Sequence, residues 1–355
     1  MPDAQPQQIN IMLSEDGWHI ALHTSRVSAT LILRTSSEPS TPTDGRVTAA
    51  LIASGIAFWR EQGYVLEDAC VLALFELASG SASTADFLRG HHLDHHHVPI
   101  WRDTRSDHSY PAPTSAFPAM RDPAPGIYPI VDDLNQLQCM LDAGARILQL
   151  RIKSEHLTDE LRHTIATAIR TAERYPDCQL FINDHWEAAL ADGAHGVHLG
   201  QEDLLMADLD GLQRAGLRLG VSSHSFWEVA RALSLQPSYV ACGPLFPTRA
   251  KAMPWIPQGI DNLRYWVRLI PHPVIGIGGV QMDRLAAIRQ TGCAAASVIQ
   301  AIVSDADPSG AFERLQQYWM GTPTPTLATA SEPPLARPTL QTPADHAHRL
   351  APPSG

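Results

Sequence analysis

Between residues 127 and 320, short runs rich in β-branched and aliphatic side chains alternate with longer stretches whose apolar positions recur every three to four residues. The runs are IYPIV (127–131), RILQL (146–150), QLFI (179–182), GVHL (196–199), LRLGV (217–221), YVAC (239–242), PVIGI (273–277) and AAASVI (294–299). Stretches of helical spacing, such as LTDELRHTIATAIRTAERY and SFWEVARALSL, lie between most of them, and Gly or Pro often marks the turn. Eight strand-helix units in this span predict an α/β fold, the closed parallel (β/α)8 TIM barrel. The runs alone do not separate that barrel from an open doubly wound sheet.

The flanks read differently. Residues 47–80 carry two amphipathic helices broken at Gly63, preceded by strand-like SATLILRT (28–35) and followed by HHLDHHHVPIW (91–101). This is too little material for an independent α/β enzyme, so 1–110 is expected to be a partial α/β segment. Many of the 28 prolines fall in a linker (111–126) and in a Pro/Thr/Ala-rich tail (321–355) that is expected to be disordered. The barrel domain is expected to span 127–320.

Composition narrows the function classes. With 44% hydrophobic and 18% charged residues among 355, global disorder and a collagen-like chain are excluded. A net charge of -11 leaves no broad cationic surface for nucleic acid or an anionic bilayer, so any anion site must be local. No apolar run approaches the roughly 18–20 residues of a membrane span, and MPDAQPQQIN lacks an export signature. A cytoplasmic protein is therefore expected, with Cys70, Cys139, Cys178, Cys242 and Cys293 as reduced core thiols.

In such a barrel the polar residues that matter sit at the C-terminal strand ends and in the loops after them. After the second run, Gln149, Arg151 and Lys153 alternate onto one face, placing two cations at the barrel mouth. Asn183 and Asp184 follow the third run, and Gln201 and Asp203 the fourth. Two carboxylates on adjacent strand ends beside cations suit Mg²⁺ shared with a phosphorylated ligand; the competing readings are an internal salt bridge and plain helix caps. Ser222 and Ser223 follow the fifth run, Thr248, Arg249 and Lys251 the sixth, and GIGGV, with Gly279, the seventh, adding donors for anionic oxygens. Together they predict two phosphorylated ligands, one of them metal-bound. His198 and His224 are candidates for a base, although a lone His at a strand end is more often a satisfied core residue. Electrostatic stabilisation of a departing phosphate would then carry the catalysis.

QLRIK, FIND, ADGAHGVHLGQEDL, LGVSSH, GPLFPTRAK and IGIGGV, in this order and spacing, closely resemble the thiamine-phosphate synthase family over essentially all of 127–303. The resemblance implies a TIM barrel that joins hydroxymethylpyrimidine diphosphate to a thiazole phosphate, releasing pyrophosphate with Mg²⁺. It assigns Gln149, Arg151, Lys153, Asn183, Ser222 and Lys251 to the pyrimidine diphosphate, with Arg151, Lys153 and Lys251 as the catalytic cations. Asp184 and Asp203 become the Mg²⁺ ligands. Thr248 and Gly279 fall to the thiazole phosphate, and Ile299 and Gln300 complete the substrate-contacting set. The chain departs from the family pattern at three places: Thr248-Arg249-Ala250-Lys251 stands for TxTK, Gln300 for the Ser after the strand-eight Ile, and His185 for the Arg after IND. The implied partners are small-molecule substrates, with neither nucleic acid nor membrane, and a homo-oligomer is left open. The alternatives are a thiazole tautomerase of the same fold and a non-catalytic ligand-binding barrel.

ALIASGIAFWREQGYVLEDACVLA also looks like the last helices of hydroxymethylpyrimidine kinase of the ribokinase-like fold, with Thr43-Asp44-Gly45-Arg46 where such kinases carry a glycine-rich anion cradle. The front segment is accordingly expected to be a non-catalytic remnant. The histidines at 91, 92, 95, 96 and 97 could gather around a soft metal, but a solvated loop is the favoured reading.

Overall fold

The computed structural model describes residues 7–14, 17–33, 45–79, 99–104, 115–154, 156–247, 255–323 and 336–339. In the N-terminal unit, strands β1 (Gln8–Ser14), β2 (Gly17–His23), β3 (Ser28–Leu33) and β4 (Ile100–Asp103) form an antiparallel sheet in that order. Helices α1 (Gly45–Glu61) and α2 (Leu66–Ser79) pack on each other. The predicted break at Gly63 is there: its φ of +89° is left-handed, and Tyr64 N donates back to the Trp59 carbonyl at 3.2 Å, closing α1. The sequence predicted only β3 of this sheet. The histidine tract, Thr43 and Asp44 lie outside the described residues.

The barrel follows. Strands β5 (Gly126–Val131), β6 (Ile147–Leu150), β7 (Gln179–Asn183), β8 (Gly196–Leu199), β9 (Arg218–Ser223), β10 (Tyr239–Cys242), β11 (Val274–Gly276) and β12 (Ala295–Val298) are parallel, and β12 pairs with β5 to close the ring. Closure settles the choice between barrel and open sheet. The intervening helices are α3 (Leu134–Asp142), α4 (Asp159–Glu173), α5 (Trp186–Ala191), α6 (Leu209–Arg214), α7 (Phe226–Ser234), α8 (Gly259–Leu269) and α9 (Leu285–Arg289), with α10 (Gln300–Val303) and α11 (Pro308–Gly321) after β12. Asp133, Thr158, Asp208 and Asp307 start α3, α4, α6 and α11 by accepting a backbone N–H, which satisfies a donor the helix cannot.

Side chains fill the ring. Tyr128, Phe181 and Tyr239 form an inner layer with Ile147, Ala241, Ile275 and Ala295. Gly196 and Gly220 make room for two of those rings: an added Cβ would lie 2.6 Å from Phe181 at the first and 2.1 Å from Tyr239 at the second. From below, part of the proline-rich linker plugs the ring. Met120 and Phe117 are buried, Ser238 Oγ donates to the Pro118 carbonyl at 2.6 Å, and Arg121 N donates to Gln179 Oε1 at 2.7 Å.

The N-terminal unit lies against α7. Helix α2 and strand β4 both contact it, and Trp101 packs on Trp227 with ring centroids 5.4 Å apart. Consequently every residue of α7 from Phe226 to Leu233 is buried, including Glu228 and Arg231, and the two units share one apolar cluster. Within the segment expected to be a disordered tail, Ala336 to Thr339 are docked: Tyr64 donates its hydroxyl proton to the Ala336 carbonyl at 2.6 Å, and Ile256 N donates to the Thr339 carbonyl at 2.8 Å. The tail expectation is narrowed accordingly at 336–339. Among the described residues no helix is long and apolar enough to cross a membrane.

Candidate functional site at the barrel mouth

Strand alternation delivers Gln149 (β6), Asn183 (β7), His198 (β8) and Ser222 (β9) to neighbouring strand ends, all at the C-terminal rim. Gln149 and Asn183 are buried and Ser222 is half-buried. Arg151 continues β6 past its end, with its N–H donating to the Val131 carbonyl at 2.7 Å, which fixes the chain as it leaves the ring. Its guanidinium is near enough to His198 to act on that ring electrostatically. Lys153, two residues on, is exposed.

Asp184 has a φ of +61°, a left-handed conformation that is uncommon for non-glycine residues and that Asp tolerates better than most. Here Asp184 N donates to the His198 carbonyl at 3.1 Å and Trp186 N to the Asp184 carbonyl at 2.7 Å, and the residue is left exposed at the rim. Asp203 opens a 3-10 turn, and its Oδ2 accepts the Gly200 N–H at 3.1 Å. The cap positions of the elements that follow, His185 and Glu202, make no side-chain cap bond, and Asp203 turns backwards to Gly200. His185 does other work, donating from Nε2 to the Ile152 carbonyl at 3.1 Å and so tying β7 to the loop that carries Arg151 and Lys153.

Beneath the rim runs a chain of hydrogen bonds through the barrel interior. Gln149 Nε2 donates to the Tyr128 hydroxyl at 3.4 Å, the Tyr128 and Tyr239 hydroxyls are 3.0 Å apart, and His198 bridges Tyr239 (Nδ1, 2.8 Å) to Ser222 Oγ (Nε2, 2.8 Å). Burial, and then the Arg151 charge, press the His198 pKa down to about 3, so the ring is neutral. The Tyr128 hydroxyl oxygen accepts from Gln149, and either tyrosine can donate to the other. The neutral ring carries one proton, so His198 donates to one of Tyr239 and Ser222 and accepts from the other. Sequence reasoning passed over Tyr128 and Tyr239, though a hydroxyl in a strand buried on both faces must find a partner. His198 is thus a buried residue with both ring nitrogens partnered.

Across the ring, Gly278 and Gly279 have φ of +95° and +66°. A Cβ on Gly279 would lie 2.8 Å from Phe246 Cβ and 2.9 Å from the Pro247 carbonyl, so only glycine lets this loop lie against the β10 loop. Ile299 is half-buried at the start of α10, and Gln300 is exposed with its Oε1 accepting from Ser304 at 2.7 Å. Thr248 and Lys251 lie outside the described residues. Among the described residues no three His, Cys, Asp or Glu side chains gather as a metal cluster. Two hard carboxylates on adjacent strand ends match the way Mg²⁺ is held, by one or two carboxylates together with substrate phosphate and water.

The barrel region has known relatives. A family model described as thiamine monophosphate synthase matches residues 127–302. A thiamine-phosphate synthase of Serratia proteamaculans (strain 568) is 47% identical over 210 residues, covering 59% of this chain and 97% of that protein. Its counterpart in Cronobacter sakazakii (strain ATCC BAA-894) is 48% identical over 192 residues, covering 54% of this chain and 90% of the relative. Among solved structures, a thiamine phosphate pyrophosphorylase from Pyrococcus furiosus superposes with a TM-score of 0.50 at 29% identity, over 57% of this chain and 98% of that one.

Proposed function

Since the chain belongs to the thiamine monophosphate synthase family, we propose that its 127–320 barrel joins hydroxymethylpyrimidine diphosphate to thiazole phosphate, giving thiamine phosphate and pyrophosphate. In that reaction the bond from the pyrimidine's methylene carbon to the diphosphate oxygen breaks, its electron pair leaving with pyrophosphate. The same carbon forms its new bond to the thiazole ring nitrogen. No proton has to move at the reacting atoms, so a neutral buried His198 is no obstacle. What must be stabilised is charge gathering on the departing diphosphate.

The observation that carries this reading is the convergence of anion donors on consecutive strand ends with two carboxylates between them. Arg151, Lys153 and Lys251 are assigned to the diphosphate charge, with Gln149, Asn183 and Ser222 orienting the pyrimidine diphosphate. Ser222 is held in place by its hydrogen bond to His198. Thr248 and Gly279 are assigned to the thiazole phosphate, with Ile299 and Gln300 beside it. Asp184 and Asp203 would hold Mg²⁺, which when bound neutralises diphosphate oxygens. Five free cysteines suit a reducing, cytoplasmic setting. The test is to mix the full chain with both phosphorylated substrates and Mg²⁺ and to look for thiamine phosphate by conversion to its fluorescent oxidation product. Product dependent on both substrates supports the reading, and no product from a folded chain overturns it.

A further inference from the structure

The turn that carries Ser222 is held from outside the barrel. Helix α7 begins just after it at Ser225, whose own side chain makes no cap bond. The cap comes from the N-terminal unit: Trp227 N donates to Asp68 Oδ1 at 2.9 Å across 159 residues of sequence. Asp68 is itself fully buried. On the neighbouring side, Arg231 pairs with Asp103 of β4 at 2.7 Å, while its other arm donates to the Gln201 carbonyl and, at 3.2 Å, to Gln201 Oε1. Gln201 in turn donates from Nε2 to the Ser222 carbonyl at 2.7 Å. The C-terminal segment closes the third side. Thr339 donates its hydroxyl proton to the His224 carbonyl, which also accepts from Gln258 Nε2 at 2.6 Å.

Neither appended piece belongs to the matched family region, which spans 127–302. The match to the Serratia relative uses 97% of that protein and only 59% of this chain, so the remainder here has no counterpart there. A helix start completed by its own Ser would leave these contacts redundant. In this chain that Ser makes no cap bond, Arg231 is buried, and its counter-ion comes from β4.

We infer that Asp68, Asp103 and Thr339 are positioning residues of the synthase site, through which the N-terminal unit and the C-terminal segment hold the Ser222–His224 turn in register for the diphosphate. The inference rests on the proposed synthase reading. None of the three touches substrate. Each acts through an intermediate group: the α7 start for Asp68, the Arg231–Gln201 link for Asp103, and the His224 carbonyl for Thr339. Loss of register at Ser222 weakens ground-state capture of the diphosphate, and misplacement from a distance is costly in such sites.

The experiment compares Asp68→Ala, Asp68→Asn, Asp103→Ala and Thr339→Val in the full chain at pH 7, measuring kcat and KM for the pyrimidine diphosphate. The expected result is a KM raised on the order of tenfold in Asp68→Ala and Asp103→Ala, with kcat within about threefold. Asp68→Asn keeps the oxygen that caps α7 and should restore KM to within about twofold of the parent. A general loss of stability would lower the active fraction and kcat, leaving KM unmoved. Cooperatively folded Asp68→Ala and Asp103→Ala chains with unchanged KM would overturn the inference. Should Asp68→Ala not fold, Asp103→Ala and Thr339→Val decide by the same criterion. If the parent chain makes no thiamine phosphate, the synthase reading has failed, and amide exchange over residues 222–229 then decides the positioning claim. Faster exchange in Asp68→Ala but not in Asp68→Asn upholds it, and equal exchange refutes it.

Discussion

Gly220→Ala tests how tightly the barrel interior is coupled to the mouth. The added methyl would sit 2.1 Å from Tyr239 Cζ and 2.4 Å from its hydroxyl oxygen. Well-packed carbon atoms stand about 3.5–4.0 Å apart, so the ring must move by more than an ångström. Tyr239 has nowhere to go: it is fully buried, and its hydroxyl is fixed by Tyr128 at 3.0 Å and His198 at 2.8 Å. Overpacking costs about 1–3 kcal/mol, and stranding a buried hydroxyl or imidazole adds about 1–3 kcal/mol. Stiffening the unfolded chain returns about 0.4–1 kcal/mol. The net expectation is a loss of about 3 kcal/mol, read from the midpoint shift in urea at unchanged slope. Gly321→Ala, where nothing lies within 4 Å of the new Cβ, is the control and should change stability by less than about 0.5 kcal/mol. The folded fraction of Gly220→Ala should also bind the diphosphate more weakly, because a displaced Tyr239 no longer orders His198 against Ser222. A loss below about 1 kcal/mol would refute the reasoning, since the ring would then have room that the packing denies it.

Three further outcomes follow. Asp203→Asn should raise the Mg²⁺ concentration for half-maximal rate by about tenfold or more, and full activity in excess chelator would remove the metal role from both carboxylates. Lys251→Ala should lower the rate by roughly 10²-fold or more, the scale of one preorganised donor to developing negative charge; a small loss would move Lys251 to the periphery. Burial first, with the charges of Glu67 and Glu228 adding, pushes the Asp68 pKa up from 3.8 to about 7, against the lowering effects of the Trp227 N–H and the Ser225 hydroxyl. The folded state therefore holds this proton more tightly than the unfolded chain does. The stabilisation is complete below about pH 4 and is lost as pH rises through about 7, by roughly 4 kcal/mol at most. Urea titrations across that window should show Asp68→Asn lacking this slope, and parallel profiles would contradict it.

The barrel was legible because its strands are buried on both faces and so leave unbroken apolar runs in the sequence. Each of the eight predicted runs lies on a strand, and the ends differ by no more than two residues. The N-terminal sheet left no such mark. Strand β1 is exposed along nearly its whole length, β2 mixes Trp and Ile with two histidines, and β4 (IWRD) is half charged. The rim residues were readable from their position after each run. Their supports were not: Tyr128 and Tyr239 looked like ordinary strand residues, and the space for Tyr239 comes from a glycine 19 positions away. Asp68 and Asp103 act on α7 across 159 and 128 residues of sequence, a relation no local pattern encodes.

The central claim, that cations and hydroxyls at the barrel mouth drive departure of a diphosphate as the thiazole bonds to carbon, is tested most directly by a single-turnover measurement. Full-length chain in excess over the pyrimidine diphosphate is mixed with thiazole phosphate and Mg²⁺, and pyrophosphate and thiamine phosphate are quantified in the same quenched samples. The account predicts that the two products appear together in a one-to-one ratio, and that Arg151→Ala slows both equally by roughly 10²-fold. Pyrophosphate released without thiamine phosphate, or an Arg151→Ala chain as fast as the parent, would contradict it.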